Sequence, residues 1–219
     1  METKVFEAAK DLRYLLERGY HRESALRLIV DKYQLSTKQK LLMYRAVYDS
    51  STAAKHKEKI VTADKIKDSN LGVDGYNVMI TVESGLRGEL LVLCDDGFIR
   101  DISAVHGKYR MTSMTEKALS IILNAVQDLK PAETNFFFDA QVSKSGELAS
   151  QVRRTLKSSG LNGNACAVKR ADISTLNFGD IVATSDSVLI SKARAIFDLA
   201  GEILKKDYSA TILVLHDSK

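Results

Sequence analysis

The first 68 residues carry apolar positions at helical spacing. Apolar side chains recur three and four positions apart in three groups, which is typical of amphipathic helices that pack on a common core. Gly19 ends the first group, and Ser36 or Thr37 precedes the third, with Gln39 placed to complete a capping box. The pattern predicts three helices, of which the second and third have the proportions of a helix-turn-helix.

After residue 70 the pattern changes to short β-branched runs that alternate with amphipathic helical segments, as in α/β domains with a largely parallel sheet. We predict a three-layer α/β/α domain at 69–219, preceded by a small all-α domain and linker at 1–68. The predicted strands lie at 71–73, 135–138, 165–168, 181–184 and 211–215, the helices at 115–129, 147–158 and 187–205, and a β-hairpin with its turn at 85–88 fills 78–103.

Composition narrows the class of protein. None of the apolar runs in the 219 residues approaches the roughly 20 residues of a membrane-spanning helix, and the first segment is charged and amphipathic, so we expect a cytoplasmic protein without a membrane partner. Cys94 and Cys166 lack zinc-site spacing and are interpreted as small buried apolar residues. Because phosphate-binding glycine loops, HExxH and GxSxG are also absent, common ATPase, dinucleotide-binding, zinc-peptidase and serine-hydrolase functions lose support.

Positive charge is concentrated in the helical segment. Residues 1–68 contain 15 Lys and Arg against 10 Asp and Glu, whereas the remainder contains 17 against 18. Such a surplus favours a polyanionic partner, because basic side chains release the counterions of phosphates. Lys38, Lys40 and Arg45 in the third helix would then contact nucleic acid, although packing of a small bundle explains the same pattern.

Four aspartates, Asp74, Asp139, Asp172 and Asp186, each follow a hydrophobic run. The carboxyl ends of parallel strands share one sheet edge, so these side chains are predicted to converge there. Carboxylates without histidine or cysteine favour a hard ion, Mg²⁺ or Mn²⁺, which supports phosphodiester hydrolysis. The alternative is that each aspartate begins a loop or caps a helix.

Three segments carry a resemblance. LGVDGYNVMI, with Asp74 and Asn77, resembles the first strand of the PIN-like and NYN ribonuclease superfamily, in which a hydrophobic strand runs into Asp-Gly-x-Asn. NFFFDAQVS and IVATSDSVLISKA are similar to later acidic motifs of the same superfamily. The whole chain also resembles an archaeal protein family that joins a short basic helical domain to this α/β body.

The resemblance implies a PIN-like nuclease fold that binds Mg²⁺ or Mn²⁺ through the aspartates, with Asp172 or Asp180 as the remaining carboxylate. It also implies that Asn77 orients Asp74 and that Thr184 or Ser185 supports the last aspartate. Two features depart from the superfamily pattern: the predicted hairpin stands where a helix is expected, and the first two acidic motifs are far apart.

Further basic residues are candidates for nucleic-acid contacts. One loop gathers His106, Lys108, Tyr109 and Arg110, a mixture suited to phosphate contact and base stacking, unless it is merely a solvated loop. Lys169 and Arg170 precede Asp172 and would contact phosphate or neutralise the neighbouring carboxylates. A turn with Asp95 and Asp96 is a weaker source of metal ligands.

The sequence thus predicts a metal-dependent nuclease acting on RNA, with Asp74, Asn77, Asp139, Asp172 and Asp186 in its catalytic site. Two alternatives remain: a non-catalytic nucleic-acid-binding protein, and a metal-dependent phosphohydrolase of small phosphoesters. A homodimer is a further partner that the sequence leaves open.

Overall fold

The computed structural model describes residues 2–103, 109–206 and 210–215. Its N-terminal part is helical, with α1 at Glu2–Glu17, α2 at Arg22–Tyr33, α3 at Thr37–Ala46 and α4 at Ser50–Lys57. Gly19 has the left-handed φ of +79° after α1, and Ser36 and Gln39 form the predicted capping box. The three predicted helices are confirmed, and α4 occupies the start of the predicted linker.

The rest of the chain alternates strands and helices, as predicted. A 3₁₀ turn at Ala63–Lys65 leads into the elements β1 Asn70–Asp74, α5 Gly75–Leu86, β2 Leu91–Leu93, β3 Ile99–Asp101, α6 Ser113–Leu129, β4 Glu133–Asp139, α7 Ser145–Ser158, β5 Gly163–Val168, α8 Ala171–Phe178, β6 Ile181–Ala183, α9 Ser187–Lys192, β7 Ile196–Phe197, α10 Leu199–Lys206 and β8 Ile212–Val214.

The main sheet is parallel, with strand order β5-β4-β1-β6-β7. Helices α5 and α7 pack on one face of it and α6 and α10 pack against α5, while α8 covers the opposite face and contacts α9. Strand β1 is buried almost continuously, because a strand covered on both faces needs apolar residues on both, whereas buried and half-buried side chains alternate along β4. The predicted mainly parallel sheet, with helices on its faces and a helical region before it, is therefore observed.

Strand β1 passes directly into α5, and the junction is tightly packed. Gly75 is the first residue of α5, and a Cβ there would collide with the ring of Phe138 on the neighbouring strand β4. The glycine in the Asp-Gly-x-Asn segment therefore lets the helix begin immediately beside the sheet edge.

A second, smaller sheet has the order β3-β2-β8. Its strands contribute Val92 to one hydrophobic cluster with Leu12, Leu26 and Met43 from the N-terminal helices. The helices thus pack on one another, as the bundle alternative expects, and also on this sheet. The linker also has a structural role, since Lys59 and Val61 pair with Ile196 at the edge strand β7.

Two predicted elements are wrong. The hairpin predicted over 78–103 is confined to β2 and β3, and α5 replaces its first half, because the apolar run there is buried on nearly all sides of a helix and periodicity alone does not separate that from a strand. The helix predicted over 187–205 is instead α9, the short strand β7 and α10. Asp198 follows the strand directly, and its carboxylate accepts the N–H of Gly201 in α10. The β2–β3 insertion accounts for much of the long spacing between the first two acidic motifs.

No helix in the described part of the chain is both long and apolar enough to cross a bilayer.

Candidate metal and nucleic-acid site

The central crevice of the main sheet lies between β1 and β6. Strands β4 and β5 lie on one side of β1, and β6 and β7 lie on the other. The connection that follows β1 therefore runs to one side of the sheet, and the connection that follows β6 runs to the other. Ligands of open α/β sheets bind at such switch points. Asp74 ends β1, and Thr184, Ser185 and Asp186 follow β6 directly.

Thr184 joins the two aspartates. Its hydroxyl donates a hydrogen bond of 3.0 Å to Asp74 Oδ2, and its Oγ1 accepts the backbone N–H of Asp186, also at 3.0 Å. Asp186 Oδ1 in turn accepts the N–H groups of Val188 and Leu189 at the start of α9. Asp186 therefore caps a helix, as the alternative interpretation expects, and also lies beside Asp74.

Asn77 fixes the segment after β6. Its Oδ1 accepts the backbone N–H of Ser185 at 2.8 Å and the Ser185 hydroxyl at 3.1 Å. The side chain of Asn77 thus holds the 184–186 segment while its backbone N–H donates to Asp74, and Thr184 contacts both Asp74 and the backbone of Asp186.

The charges at this edge repel one another. Burial raises the pKa of Asp74 from 3.8 to about 7; the hydrogen bond from Thr184 opposes that rise, while the charges of Asp186 and Asp172 add to it. Within the described residues, none of these three carboxylates forms an ion pair with Lys or Arg. The repulsion is therefore not relieved by a permanent protein cation.

The other predicted carboxylates are spread along the sheet. Asp172 lies in the first turn of α8, close enough to affect the pKa of Asp74. Asp139 ends β4 two residues past the partner of Asp74, or about 7 Å further along the strand; its Oδ1 accepts the N–H of Gln141, and its charge adds to the rise that burial causes in the pKa of Tyr76. Asp180 is wrong as an alternative, because it precedes β6 and bonds Asn70 N–H at the opposite edge.

A Mg²⁺ or Mn²⁺ site needs several oxygen ligands from side chains, water or substrate. No three His, Cys, Asp or Glu side chains are arranged to hold a metal within 2–103, 109–206 and 210–215, so the four aspartates do not form a ready cage. Mg²⁺ is, however, commonly held by one or two carboxylates together with water and substrate phosphate. Asp74 and Asp186 fit that simpler requirement, because the Asp186 charge lies close enough to raise the pKa of Asp74, and Asp172 adds negative charge.

A cleft of about 180 Å³ opens beside Asp186. One wall holds Asn77, Ser185 and Asp186, and the facing wall comes from the N-terminal helical region and the strand β3. The facing residues, which the sequence did not single out apart from Arg45, are Arg22, Tyr44, Arg45, Tyr48, Arg100 and Asp101. Only the tertiary packing of the helices on the small sheet brings them here.

Arg100 lines the cleft and holds the neighbouring segments together. This buried side chain pairs with Asp96 through two hydrogen bonds of 2.8 Å, and its Nε donates to the backbone oxygen of Ser185 at 2.6 Å. His56 Nδ1 lies 2.9 Å from the same Asp96 carboxylate. The network ties the β2–β3 hairpin and the helical region to the segment that carries Asp186.

The predicted basic residues fall in different places. Lys169 and Arg170 are exposed where β5 passes into α8, on the same edge as the aspartates. Arg45 lines the cleft but pairs with Asp101 at 3.0 Å. Lys38 and Lys40 are exposed on α3, and Lys38 lines a different cavity with Leu90 and Ile102.

The predicted loop is only partly described. Arg110 is exposed, beside Tyr109, which is buried and donates to Glu83 and is therefore not free to stack on a base. His106 and Lys108 lie outside the described residues. Asp95 and Asp96 lie in the predicted turn, and their carboxylates pair with Arg13 and Arg100.

Two family models match the chain. One, described as Domain of unknown function (DUF5616), matches residues 63–202, and the other, described as Protein of unknown function (DUF434), matches residues 4–59. The two matches meet between residues 59 and 63, a few residues before the domain boundary predicted at residue 68. Neither description names the PIN-like or NYN superfamily, so that resemblance stays a prediction.

The chain is also 33% identical over 203 residues to Uncharacterized protein MJ0935 of Methanocaldococcus jannaschii, an alignment that covers 92% of this chain and 97% of that protein. No solved structure matches.

Proposed function

The chain belongs to the family described as Domain of unknown function (DUF5616), and from the site that it carries we propose that it is a Mg²⁺- or Mn²⁺-dependent nuclease acting on RNA. One observation carries the proposal: at the switch point of a parallel sheet, the Thr184 hydroxyl links the Asp74 carboxylate to the backbone N–H of Asp186, and neither carboxylate has a Lys or Arg partner in the described residues. Uncompensated carboxylates at such a point attract a divalent cation.

The residues of the chain contribute positioning and charge. Asp74 and Asp186 would hold the ion, while Thr184 and Asn77 fix their geometry before substrate arrives. When bound, Mg²⁺ or Mn²⁺ supplies Lewis-acid stabilisation of the negative charge that develops on the phosphate. Lys169 and Arg170 at the same edge are placed to attract the phosphate backbone.

A chain-like substrate suits the site better than a small phosphoester. The cleft at Asp186 shares Arg22, Tyr44 and Tyr48 with a neighbouring groove of about 590 Å³ between the N-terminal helices and α9. A mononucleotide would leave most of that surface unused, whereas a strand of several nucleotides would cover it. Screening mononucleotides beside oligonucleotides separates the two substrate classes.

The test of the proposal is cleavage of a labelled single-stranded RNA with Mn²⁺, with Mg²⁺ and with chelator. We expect metal-dependent cleavage that falls at least about 100-fold in Asp186→Asn, because several kcal/mol of charge stabilisation are lost. Asparagine caps helices as well as aspartate does, so α9 should remain formed.

The matched control is Asp128→Asn, which changes an exposed carboxylate on α6 and should cleave like the wild type. Wild-type protein that cleaves no RNA with either ion, or Asp186→Asn protein with full activity, would refute the nuclease proposal.

A further inference from the structure

The groove of about 590 Å³ beside the aspartate site has a distinctive lining. Its walls come from α1, α2, α3, α4 and α9, so it exists only because the helical region faces the sheet edge. We call it the tyrosine groove and define it by Tyr20, Arg22, Tyr44, Tyr48, Val188 and Lys192. Of these, Arg22, Tyr44, Tyr48 and Val188 also line the cleft that contains Asp186.

Aromatic surface in this groove is open to solvent. Tyr44 is 49% exposed and Tyr20 is 51% exposed, and Val188 beside them is 53% exposed. A fold normally places such rings partly inside its core, and exposed aromatic rings beside cations are how proteins stack the bases of single-stranded nucleic acids.

Cationic groups accompany the rings. The Arg22 guanidinium lies 4.5 Å from the ring centre of Tyr48 and 5.3 Å from that of Tyr44, and it also donates to the backbone oxygen of Tyr44. It forms no ion pair in the part of the chain that the structure describes. Lys192 is exposed at the other wall. Guanidinium groups stacked on aromatic rings keep their edges free for phosphate.

One acidic residue, Asp49, also lines the groove. Its Oδ1 accepts the backbone N–H of Thr52 at 2.8 Å and so caps α4. That hydrogen bond and the nearby Arg22 hold the pKa of Asp49 below its usual value against the opposing effect of burial. The carboxylate is therefore ionised, and against the two cations Arg22 and Lys192 it leaves one net positive charge among the Lys, Arg and Asp side chains of the groove.

We propose that the tyrosine groove binds a single-stranded nucleic acid, with bases stacked on Tyr44 and Tyr20 and phosphates against Arg22 and Lys192, and leads the strand to Asp186. The part of this inference in which the strand is led to a cleavage site at Asp186 rests on the proposed function. Binding in the groove itself is independent of cleavage. A duplex does not offer unstacked bases, so the groove selects single strands.

The experiment measures fluorescence anisotropy of a labelled 12-nucleotide oligouridylate with the full chain in EDTA, so that cleavage does not interfere. Tyr44→Ala is expected to weaken binding about tenfold, within the range for loss of one stacked base, and Tyr44→Phe to bind within about twofold of wild type. Lys192→Gln should lower the slope of log affinity against log salt by about one.

Tyr14→Ala is the matched control. Tyr14 is 54% exposed on α1 and has the guanidinium of Arg18 3.5 Å from its ring centre, but it does not line the groove. Its loss should leave affinity unchanged. Equal losses in Tyr14→Ala and Tyr44→Ala, weak binding by Tyr44→Phe, or equal affinity for a 12-base-pair duplex would overturn the inference.

Failure of this inference and failure of the nuclease proposal give different results. Tyr44-dependent binding by a wild-type protein that cleaves nothing supports the groove and refutes the nuclease. Metal-dependent cleavage together with binding that does not depend on Tyr44 supports the nuclease proposal and refutes the groove. Melting temperatures of all variants identify any loss of folding, and the phenylalanine variant keeps the test valid if the alanine variant unfolds.

Discussion

Replacing Asp74 by asparagine is expected to stabilise the metal-free protein and to remove its RNA-cleaving activity. Because the pKa of Asp74 is raised from 3.8 to about 7, the folded protein binds a proton that the unfolded chain has released. Wild-type stability should therefore fall as pH rises from about 4 to 7 and stay low above 7. Asp74→Asn should escape this loss and gain about 2–4 kcal/mol above pH 7.

Thermal melts in EDTA from pH 4 to 8 measure this effect, alongside the cleavage assay with Mn²⁺. The gain corresponds to a melting temperature about 5–15 °C higher for a chain of this size. Asp180→Asn is the control, because Asp180 lies at the opposite edge of the same sheet and asparagine still accepts the Asn70 N–H. A variant that melts below wild type at pH 8, or that cleaves normally, would contradict the assigned role of Asp74.

Removing the guanidinium of Arg100 is expected to cause the largest loss of stability. Asp96 is fully buried, and Arg100→Met would leave its carboxylate without its two hydrogen bonds from Arg100. Breaking a buried pair from one side costs about 3–5 kcal/mol of unfolding free energy. The Ser185 oxygen also loses its donor, so the segment that carries Asp186 should loosen and cleavage should fall as well.

Urea unfolding followed by circular dichroism gives the free energy directly. Lys205→Met is the comparison, because it breaks an exposed pair with Glu202 at 3.4 Å and should change stability by less than about 0.5 kcal/mol. Adding Asp96→Asn to Arg100→Met should recover part of the loss, since the unpaired charge is then gone. If Arg100→Met is no less stable than Lys205→Met, the buried network does not hold the fold together.

Much of the fold could be predicted from sequence because its signals are local. The capping box at Ser36, the turn at Gly19 and the alternating apolar runs of the parallel strands follow from short-range chemistry. The failures have a common cause: α5 is buried on nearly every side, so its sequence lacks helical periodicity, and the two-residue strand β7 is shorter than any pattern that periodicity can detect.

Part of the candidate site could likewise be predicted from the sequence, and part could not. The placement of Asp74 and Asp186 at one sheet edge could be predicted from the rule that parallel strands end together. The facing wall could not, because Arg22 and Tyr44 reach the cleft through packing of distant helices on the small sheet. Asp139 extends further along its strand than the motif alone suggests, since register is set by pairing between strands.

The central claim is that the carboxylates of Asp74 and Asp186 share a divalent cation. Electron paramagnetic resonance of Mn²⁺ titrated into wild-type, Asp74→Asn and Asp128→Asn protein at pH 8 tests it most directly. We predict that wild type and Asp128→Asn bind Mn²⁺ alike and that Asp74→Asn binds at least about tenfold more weakly. Equal affinity in all three proteins would contradict the account.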